Sequence, residues 1–143
     1  MIEVPGDLWE RYGEPGHVIC ITTNGCVRKD GRAVMGAGVA LEAQRRAPLV
    51  PMQLALHLGE FGNRVCWLDN GKMLAFPTKE DWRKPSILKR IKESATQLLH
   101  LAEDSPNFIF HLPRPGCGCG GLKWEQVKPL LEDLPNNVWV HGR

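Results

Sequence analysis

The sequence predicts an α/β fold in which helices cover a mixed central sheet. Apolar runs of strand length alternate with amphipathic runs of helix length along the chain, which is the pattern of a layered α/β domain. Two strands are joined by the tight-turn sequence Asp69-Asn70-Gly71, which predicts an antiparallel hairpin. The hairpin makes the sheet mixed rather than purely parallel.

The first half of the chain predicts two strands followed by two helices. Residues 1–4 predict a short first strand, and the β-branched run at 17–22 predicts a buried strand. After a polar loop that contains glycines, residues 39–46 have the composition of a helix. Residues 52–61 predict a second, short helix.

The second half predicts a hairpin, a helix, a strand, a helix and a final strand. Their ranges are 64–68 with 72–76, then 86–101, 108–110, 124–134 and 137–141. The helix at 86–101 has the clearest apolar stripe at the 3.6-residue period, and Pro85 with Ser86 predicts its start. The cations Lys89, Arg90 and Lys92 lie off that stripe, so we expect them to face water.

Length and composition predict one soluble domain over residues 1–143. The chain is long enough to bury a core, and its 43% apolar and 24% charged residues are ordinary for a globular protein. A net charge of +2 argues against a general nucleic-acid binder. The five cysteines match no disulfide framework, and neither a signal peptide nor an apolar run of membrane-spanning length is visible. We therefore expect a cytoplasmic monomer without a membrane partner.

Two glycine-rich loops predict a site for a phosphate or a diphosphate. Glycine has no Cβ, so a ligand can reach the backbone N–H groups of residues 116–121, which lie between a strand and a helix N-terminus. Residues 36–38 repeat this arrangement before the helix at 39–46. A diphosphate needs donors from more than one side, so the two loops together indicate a clamp. A mobile turn is the alternative interpretation of the glycines alone.

Lys79 is the candidate catalytic residue. It follows the second hairpin strand, and loops at strand ends are where α/β folds place their chemistry. An ordinary surface lysine is the alternative. Nearby, Trp82, Arg83 and Lys84 suggest a rim that stacks on a base and pairs with phosphates of a nucleic acid. Alternatively, Trp82 packs on the following helix.

A metal site is the remaining alternative. Cys117 and Cys119 with His111 suggest zinc, but the spacing is CxC rather than CxxC, and the sequence has no second pair. We expect neither a metal nor another cofactor.

Five sequence blocks occur in macro-domain order and span nearly the whole chain. They are Gly6-Asp7-Leu8, Ile21-Thr22-Thr23-Asn24, residues 35–40, Phe76-Pro77-Thr78-Lys79 with Trp82, and residues 112–124. On these blocks the chain resembles a macro domain, the ADP-ribose-binding fold. The resemblance implies a three-layer α/β/α fold with a mixed central sheet. Within that fold the chain is similar to the branch that holds the terminal ADP-ribose glycohydrolases and the DNA ADP-ribosyl glycohydrolase antitoxins, and to small bacterial and phage macro-domain proteins.

The resemblance implies a role for each block. Asp7 should accept a hydrogen bond from the adenine amino group, with the backbone of Leu8 beside it. Thr23 or Asn24 should lie near the distal ribose, and the two glycine loops should wrap the diphosphate from two sides. The implied ligand-binding residues are Asp7, Leu8, Thr23, Asn24, Met35, Gly36, Ala37, Gly38, Val39, Thr78, Pro113, Gly116, Cys117, Gly118, Cys119, Gly120 and Gly121.

The resemblance also implies an activity. Lys79 matches the lysine that the glycohydrolase branch uses in catalysis, so we expect hydrolysis of the ADP-ribosyl linkage at the distal ribose of a modified protein or nucleic acid. The terminal glycohydrolases carry an aspartate where this chain has Gly120. The DNA-specific antitoxins also have glycine there and rely on the lysine, so the departure points toward them.

Two routes for the lysine stay open. An ammonium could protonate the leaving oxygen, and a neutral amine could attack the opened sugar to form a Schiff base. The neighbouring cations Arg83 and Lys84 favour the neutral amine, whereas Glu80 and Asp81 favour the ammonium.

Two further functions are alternatives to the hydrolase. A reader would bind ADP-ribose or an ADP-ribosylated partner and turn over nothing, and only Lys79 separates it from the hydrolase. A phosphatase acting on ADP-ribose-1″-phosphate would need a water activator near the terminal phosphate, for which Asn24 and His111 are the candidates. His111 more often serves as a satisfied residue at a strand end.

Overall fold

The computed structural model describes residues 1–142 and shows a six-stranded sheet with helices on both faces. The strands are β1 (Ile2–Val4), β2 (His17–Thr23), β3 (Cys66–Leu68), β4 (Met73–Pro77), β5 (Ile109–Pro113) and β6 (Val138–His141). The helices are α1 (Gly38–Arg46), α2 (Val50–Phe61), α3 (Leu88–Asp104) and α4 (Trp124–Leu131). The predicted order of strands and helices is confirmed. Arg143, the last residue of the predicted domain, lies outside the described residues.

The sheet has the order β1-β6-β5-β2-β4-β3. Every neighbouring pair is parallel except β3 and β4, which form the predicted antiparallel hairpin. Asp69, Asn70 and Gly71 connect these two strands, and all three have positive φ angles. Aspartate, asparagine and glycine are the residues that tolerate this conformation best, which explains why the chain turns here. The mixed α/β sheet is therefore confirmed.

Alternation along the strands separates two hydrophobic cores. In β2, Val18 and Cys20 pack with residues of α3 and α4, whereas Ile19 and Ile21 pack with residues of α1 and α2. Successive side chains of a strand point to opposite faces, so a strand buried on both faces is apolar throughout. The three-layer α/β/α arrangement that the resemblance implied is confirmed.

The start of α3 differs from the prediction. The helix begins at Leu88 rather than Ser86, because the backbone N–H of Ile87 donates to the carbonyl of Thr78 and keeps this segment extended. The expectation that Arg90 faces water is also wrong. Its side chain is buried, at 8% exposure, and makes ion pairs with Glu80 and Glu93.

Strand β5 is longer than the apolar run at 108–110 that predicted it. It continues through Pro113, which lies opposite His141 of β6, so the second glycine loop begins only at Arg114. Phe108 lies outside the strand and is exposed. Five parallel strands consequently end at one edge of the sheet, and the loops that follow them meet there.

The cysteine side chains are thiols rather than disulfides. All five cysteines are free, and burial raises the pKa of Cys66 to about 11 and also raises the pKa of Cys20.

Within residues 1–142, no helix combines the length and apolar character needed to cross a membrane.

Three histidines form a hydrogen-bonded chain across the sheet. His111 Nε2 lies 2.9 Å from His17 Nδ1, and His111 Nδ1 lies 2.8 Å from His141 Nε2. His111 is 1% exposed. Burial, followed by the nearby His141 and His17, lowers the pKa of His111 to about 4.

This pKa predicts that stability falls in mild acid. Between the ordinary pKa of 6.5 and the folded value of about 4, the unfolded chain binds a proton that folded His111 excludes. The free energy of unfolding should therefore fall as pH decreases through this window, by at most about 3 kcal/mol from this group. Urea unfolding at about pH 7 and about pH 4.5 should show a smaller pH effect in His111→Gln than in the wild type. An equal effect in both proteins would contradict the assignment.

Candidate ligand-binding and catalytic site

A cleft of about 1340 Å³ lies at the carboxyl edge of the parallel strands. The loops after β1, β2, β4 and β5 and the start of α1 form its walls. Its volume exceeds the ~300–1,000 Å³ of most small-ligand pockets, which suits an extended ligand. Lys79 and all the ligand-binding residues implied by the resemblance line this cleft except Gly121, whereas Lys84 and His111 do not line it. Gly121 instead closes a turn by donating its N–H to the carbonyl of Gly118.

The first glycine loop opens into α1 as predicted. The helix begins at Gly38, its N-cap residue Ala37 offers no side-chain cap, and its first turn has no acidic residue. The first N–H groups of a helix have no acceptor within the helix, so this end favours an anion. The second loop faces it closely, because Cys119 Sγ lies 3.6 Å from the position that a Cβ on Gly38 would take.

The second glycine loop presents its own backbone donors rather than a helix end. In the described part of the chain, the N–H groups of Gly118, Cys119 and Gly120 donate to no backbone or side-chain acceptor. The start of α4 is not part of the cleft wall. Lys123, the N-cap residue, does not line the cleft, and the side chain of Gln126 accepts its N–H at 3.0 Å.

Gly120 packs against the segment before α3. The backbone N–H of Ser86 donates to the Gly120 carbonyl at 3.0 Å. A Cβ on Gly120 would lie 2.2 Å from Ser86 Oγ and 2.5 Å from the carbonyl oxygen of Gly116. No side chain fits there unless the loop moves. The absence of a carboxylate at this position therefore has a steric cause in this chain.

Lys79 reaches the second glycine loop. Its Nζ lies 3.4 Å from the carbonyl oxygen of Cys119, and both residues line the cleft. None of the salt bridges among residues 1–142 involves Lys79. Its ammonium group is therefore held at the junction of two loops without a carboxylate partner.

The two carboxylates that follow Lys79 are occupied elsewhere. Asp81 accepts two hydrogen bonds from the guanidinium of Arg83, at 3.0 and 2.9 Å, and these bonds lower the pKa of Asp81 to about 2. Glu80 accepts from the amide of Asn63 at 3.0 Å and lies 3.7 Å from Arg90. The sequence interpretation, in which Glu80 and Asp81 act on Lys79, does not match these contacts.

The opposite end of the cleft contains the residues expected to bind adenine. Asp7 accepts the backbone N–H of Trp9 at 3.1 Å through Oδ1 alone. The N–H of Leu8 has no acceptor among the described residues. His141, the last member of the histidine chain, lines the same end.

Asn24 and Thr23 lie beside the first glycine loop. The amide of Asn24 donates to the carbonyl of Val34 at 3.0 Å and accepts the N–H of Cys26 at 2.9 Å, so it closes the loop after β2. Thr23 is buried, and its hydroxyl has no partner in the described chain. Thr23 and Asn24 are the two residues expected near the distal ribose. Of the two, Thr23 has the side-chain polar group without a hydrogen-bond partner.

The sequence interpretation did not identify several cleft residues, among them Ser86 and Trp9. Ser86 and Trp9 line the cleft, are 6% exposed, and have a buried Oγ and Nε1 without a partner in the described chain. Buried polar groups normally have partners, so these atoms are suited to contact a ligand or water. Ser86 had been assigned to the start of α3, and no local signal marked Trp9.

The rim of the cleft carries an aromatic ring and cations. Trp82 lines the cleft and is 51% exposed, so about half of its surface is open to a ligand. Arg28, Lys29 and Arg83 line the cleft beside it, and the Arg83 guanidinium lies 6.0 Å from the centre of the Trp82 ring. Arg28 and Arg83 are paired with Asp30 and Asp81, so Lys29 is the cation of this rim that makes no salt bridge among the described residues.

The geometry does not assemble the zinc site considered from the sequence. His111 is buried between two other histidines, and within residues 1–142 no group of three His, Cys, Asp or Glu residues could hold a metal ion.

Comparison with solved structures identifies the class of protein. The macrodomain of Mycobacterium tuberculosis DarG matches with a TM-score of 0.78 and 25% identity, covering 99% of this chain and 97% of that chain. The macrodomain of Thermus aquaticus DarG matches with a TM-score of 0.75 and 29% identity, covering 99% and 97%. Thermosipho africanus DarTG, solved in complex with ADP-ribose, shares the fold at a TM-score of 0.73 and 21% identity, covering 98% and 41%. The chain is thus a macrodomain by its fold.

Sequence comparison points to the same relatives. The DNA ADP-ribosyl glycohydrolase of Mycobacterium tuberculosis is 32% identical over 120 residues, which are 78% of this chain and 33% of the relative. That of Thermus aquaticus is 31% identical over 123 residues, 76% of this chain and 34% of the relative. Within the macrodomain fold, the chain therefore resembles the DNA ADP-ribosyl glycohydrolases. It spans about a third of the length of these relatives. No protein-family model matches it.

The packing of the second glycine loop gives a stability prediction. Gly120→Ala should lower the free energy of unfolding by about 1–3 kcal/mol, because its Cβ must displace Ser86 Oγ and the Gly116 carbonyl. Gly118→Ala is the matched control, since a Cβ there meets nothing within 4 Å. Thermal melting should separate the two variants. Equal melting temperatures would show that the contact with Ser86 imposes no constraint.

Proposed function

We propose that this chain binds the ADP-ribosyl group of modified DNA and hydrolyses its linkage at the distal ribose, with Lys79 as the catalytic residue. The observation that carries this proposal is the position of Lys79 Nζ, 3.4 Å from the Cys119 carbonyl at the junction of two cleft loops. The similarity to proteins named DNA ADP-ribosyl glycohydrolase supports the reaction and the substrate. The ADP-ribose in the structure of the Thermosipho africanus neighbour supports the ligand.

The proposed ligand fits the cleft along its length. Asp7 and the N–H of Leu8 bind the adenine, and the two facing glycine loops supply backbone donors to the diphosphate. The distal ribose then lies near Thr23, which has an unpartnered hydroxyl, and near Lys79. This orientation places the linkage to DNA on the side of the cleft that carries Trp82 and Arg83.

Lys79 acts as a general acid in the proposed mechanism. The bond between the anomeric carbon and the leaving atom of the base breaks, and its electron pair stays with the leaving atom. The ammonium of Lys79 gives that atom a proton, and water forms the new bond to the anomeric carbon and returns a proton to the lysine. The products are ADP-ribose and the unmodified strand. With glycine at position 120, no carboxylate of the second loop can share this work.

The test is hydrolysis of ADP-ribosylated single-stranded DNA by Lys79→Ala. We expect turnover to fall by at least ~100-fold, the usual contribution of a positioned proton donor, while ADP-ribose still binds. Lys89→Ala, which removes an exposed lysine of α3 outside the cleft, should keep wild-type turnover. Unchanged turnover in Lys79→Ala would contradict the proposal. A wild type that binds ADP-ribose and hydrolyses nothing would be a reader.

Borohydride separates the two routes open to the lysine. Reduction during turnover would leave ADP-ribose covalently attached to Lys79 if a Schiff base forms. The acid mechanism predicts that no ADP-ribose becomes attached to the protein. A stable adduct on Lys79 would instead support the Schiff-base mechanism.

The geometry does not favour a phosphatase. His111 is 1% exposed and uses both ring nitrogens within the histidine chain, so it cannot activate water in the cleft. The oxygen of the Asn24 amide already accepts the N–H of Cys26. Release of phosphate from ADP-ribose-1″-phosphate would overturn this argument.

We further propose that the rim binds the DNA strand next to the modified base. Trp82 is exposed and can stack on a base, and Lys29 can pair with a phosphate, whereas Arg83 would first have to release Asp81. Trp82→Ala should weaken binding of ADP-ribosylated single-stranded DNA by about 5- to 100-fold, which corresponds to a base-stacking contribution of ~1–3 kcal/mol. Its affinity for free ADP-ribose should not change.

Trp67→Ala provides the control for this prediction, because Trp67 is exposed on β3 and lies outside the cleft. Isothermal titration with both ligands measures the effect. Equal losses for DNA and free ADP-ribose in Trp82→Ala would assign the ring to the nucleotide site instead.

The single domain over residues 1–143, the monomeric state and the cytoplasmic location stay predictions.

A further inference from the structure

A buried arginine and an asparagine hold the backbone of Lys79 from outside the cleft. We propose that Arg90 and Asn63 are positioning residues, which orient Lys79 through its backbone for the proton transfer. This inference rests on the proposed function. Neither residue lines the cleft, so neither can contact the nucleotide directly.

Asn63 makes the direct contact. Its side-chain nitrogen donates to the carbonyl oxygen of Lys79 at 3.0 Å and to Glu80 Oε2 at 3.0 Å. One amide thereby fixes the peptide that follows the lysine and the side chain of the next residue. With its carbonyl held on this side, Lys79 extends toward the opposite loop and reaches the carbonyl of Cys119.

Arg90 fixes Asn63 in turn. Its guanidinium donates to the backbone carbonyl of Asn63 at 2.8 Å, and the side chain is 8% exposed. Ion pairs to Glu80 and Glu93, at 3.7 and 3.3 Å, give the charge its partners. Arg90 therefore connects α3 to the loop before β3 and, through Asn63, to Lys79.

The arginine is poorly explained by stability alone. Its Nε and second terminal nitrogen are buried without a partner in the described chain. Burying a charged group with unpartnered atoms costs free energy, and an apolar side chain at the same place would avoid that cost. A role in setting the geometry of the Lys79 loop accounts for a cation at this position.

The loop after β2 closes the other side of the same peptide. The N–H of Gly25 donates to the carbonyl of Glu80 at 3.1 Å. A Cβ on Gly25 would lie 3.1 Å from both the Asn63 amide nitrogen and the Glu80 carbonyl oxygen. The peptides after Lys79 and Glu80 are thus held from two sides, and a side chain at position 25 would press on both Asn63 and Glu80.

The experiment separates turnover from binding. Arg90→Met and Asn63→Ala should lower kcat on ADP-ribosylated single-stranded DNA by about 10- to 100-fold, because small displacements of a catalytic group have effects of this size. The Kd for ADP-ribose should stay within about twofold, because the ligand-binding loops are not altered. Arg90→Lys should recover most of the lost kcat, since its ammonium can still donate to the Asn63 carbonyl.

Lys92→Met is the matched control. It removes one positive charge from an exposed position of the same helix, and it should keep the wild-type kcat and melting temperature. If Arg90→Met does not fold, Asn63→Ala and Arg90→Lys still test the inference. These residues do not position Lys79 if folded variants keep the wild-type kcat. The same conclusion follows if kcat, affinity and melting temperature all fall together.

Failure of this inference can be distinguished from failure of the proposed function. If the wild-type protein shows no turnover, both the proposed function and the positioning role are contradicted. Turnover that is lost in Lys79→Ala but kept in Arg90→Met and Asn63→Ala removes only the positioning role. Turnover lost in all three, with ADP-ribose binding retained, supports both.

Discussion

Two backbone hydrogen bonds from consecutive residues hold together the corner of the cleft where we place catalysis. Ser86 donates to Gly120 of the second glycine loop, and Ile87 donates to Thr78, the residue before Lys79. The segment before α3 therefore sets the distance between the loop that carries Lys79 and the second glycine loop. Because both hydrogen bonds need an extended backbone, α3 begins only at Leu88.

The charges around this corner are arranged so that Lys79 stays available to a ligand. Each nearby carboxylate has its own cation, Asp81 with Arg83 and Glu80 with Arg90. A carboxylate paired in this way does not compete with the phosphates of a nucleotide for the lysine. The unpaired backbone donors of the two glycine loops add positive potential where these loops face each other, which suits an anion.

Sequence patterns predicted the order of elements and both glycine loops, because strand and helix periods and glycine content are local properties. The residues of the other cleft loops were implied only by the resemblance to macro domains. The failures involve contacts between distant residues. The burial of Arg90 depends on a carbonyl 27 positions away, and the histidine chain joins His111 to a residue 94 positions away. Ser86 was misplaced because the Pro-Ser signal for a helix start is local, whereas its contact with Gly120 is not. Such contacts are set only once the sheet brings its strand ends together.

The contact between Gly120 and Ser86 also limits the chemistry that this cleft can perform. A carboxylate at position 120 would need a Cβ within 2.5 Å of the backbone of Gly116, and removing the Ser86 hydroxyl would not relieve that second clash. A second catalytic carboxylate therefore cannot be introduced by one substitution while the loop keeps this conformation. The cleft must then rely on a single proton donor. Its orientation must be set accurately, because no second catalytic group is present to compensate for a misplaced one. A lysine held through its backbone by Asn63 and Arg90 meets that requirement, and no salt bridge among the described residues keeps its side chain from the bond that breaks.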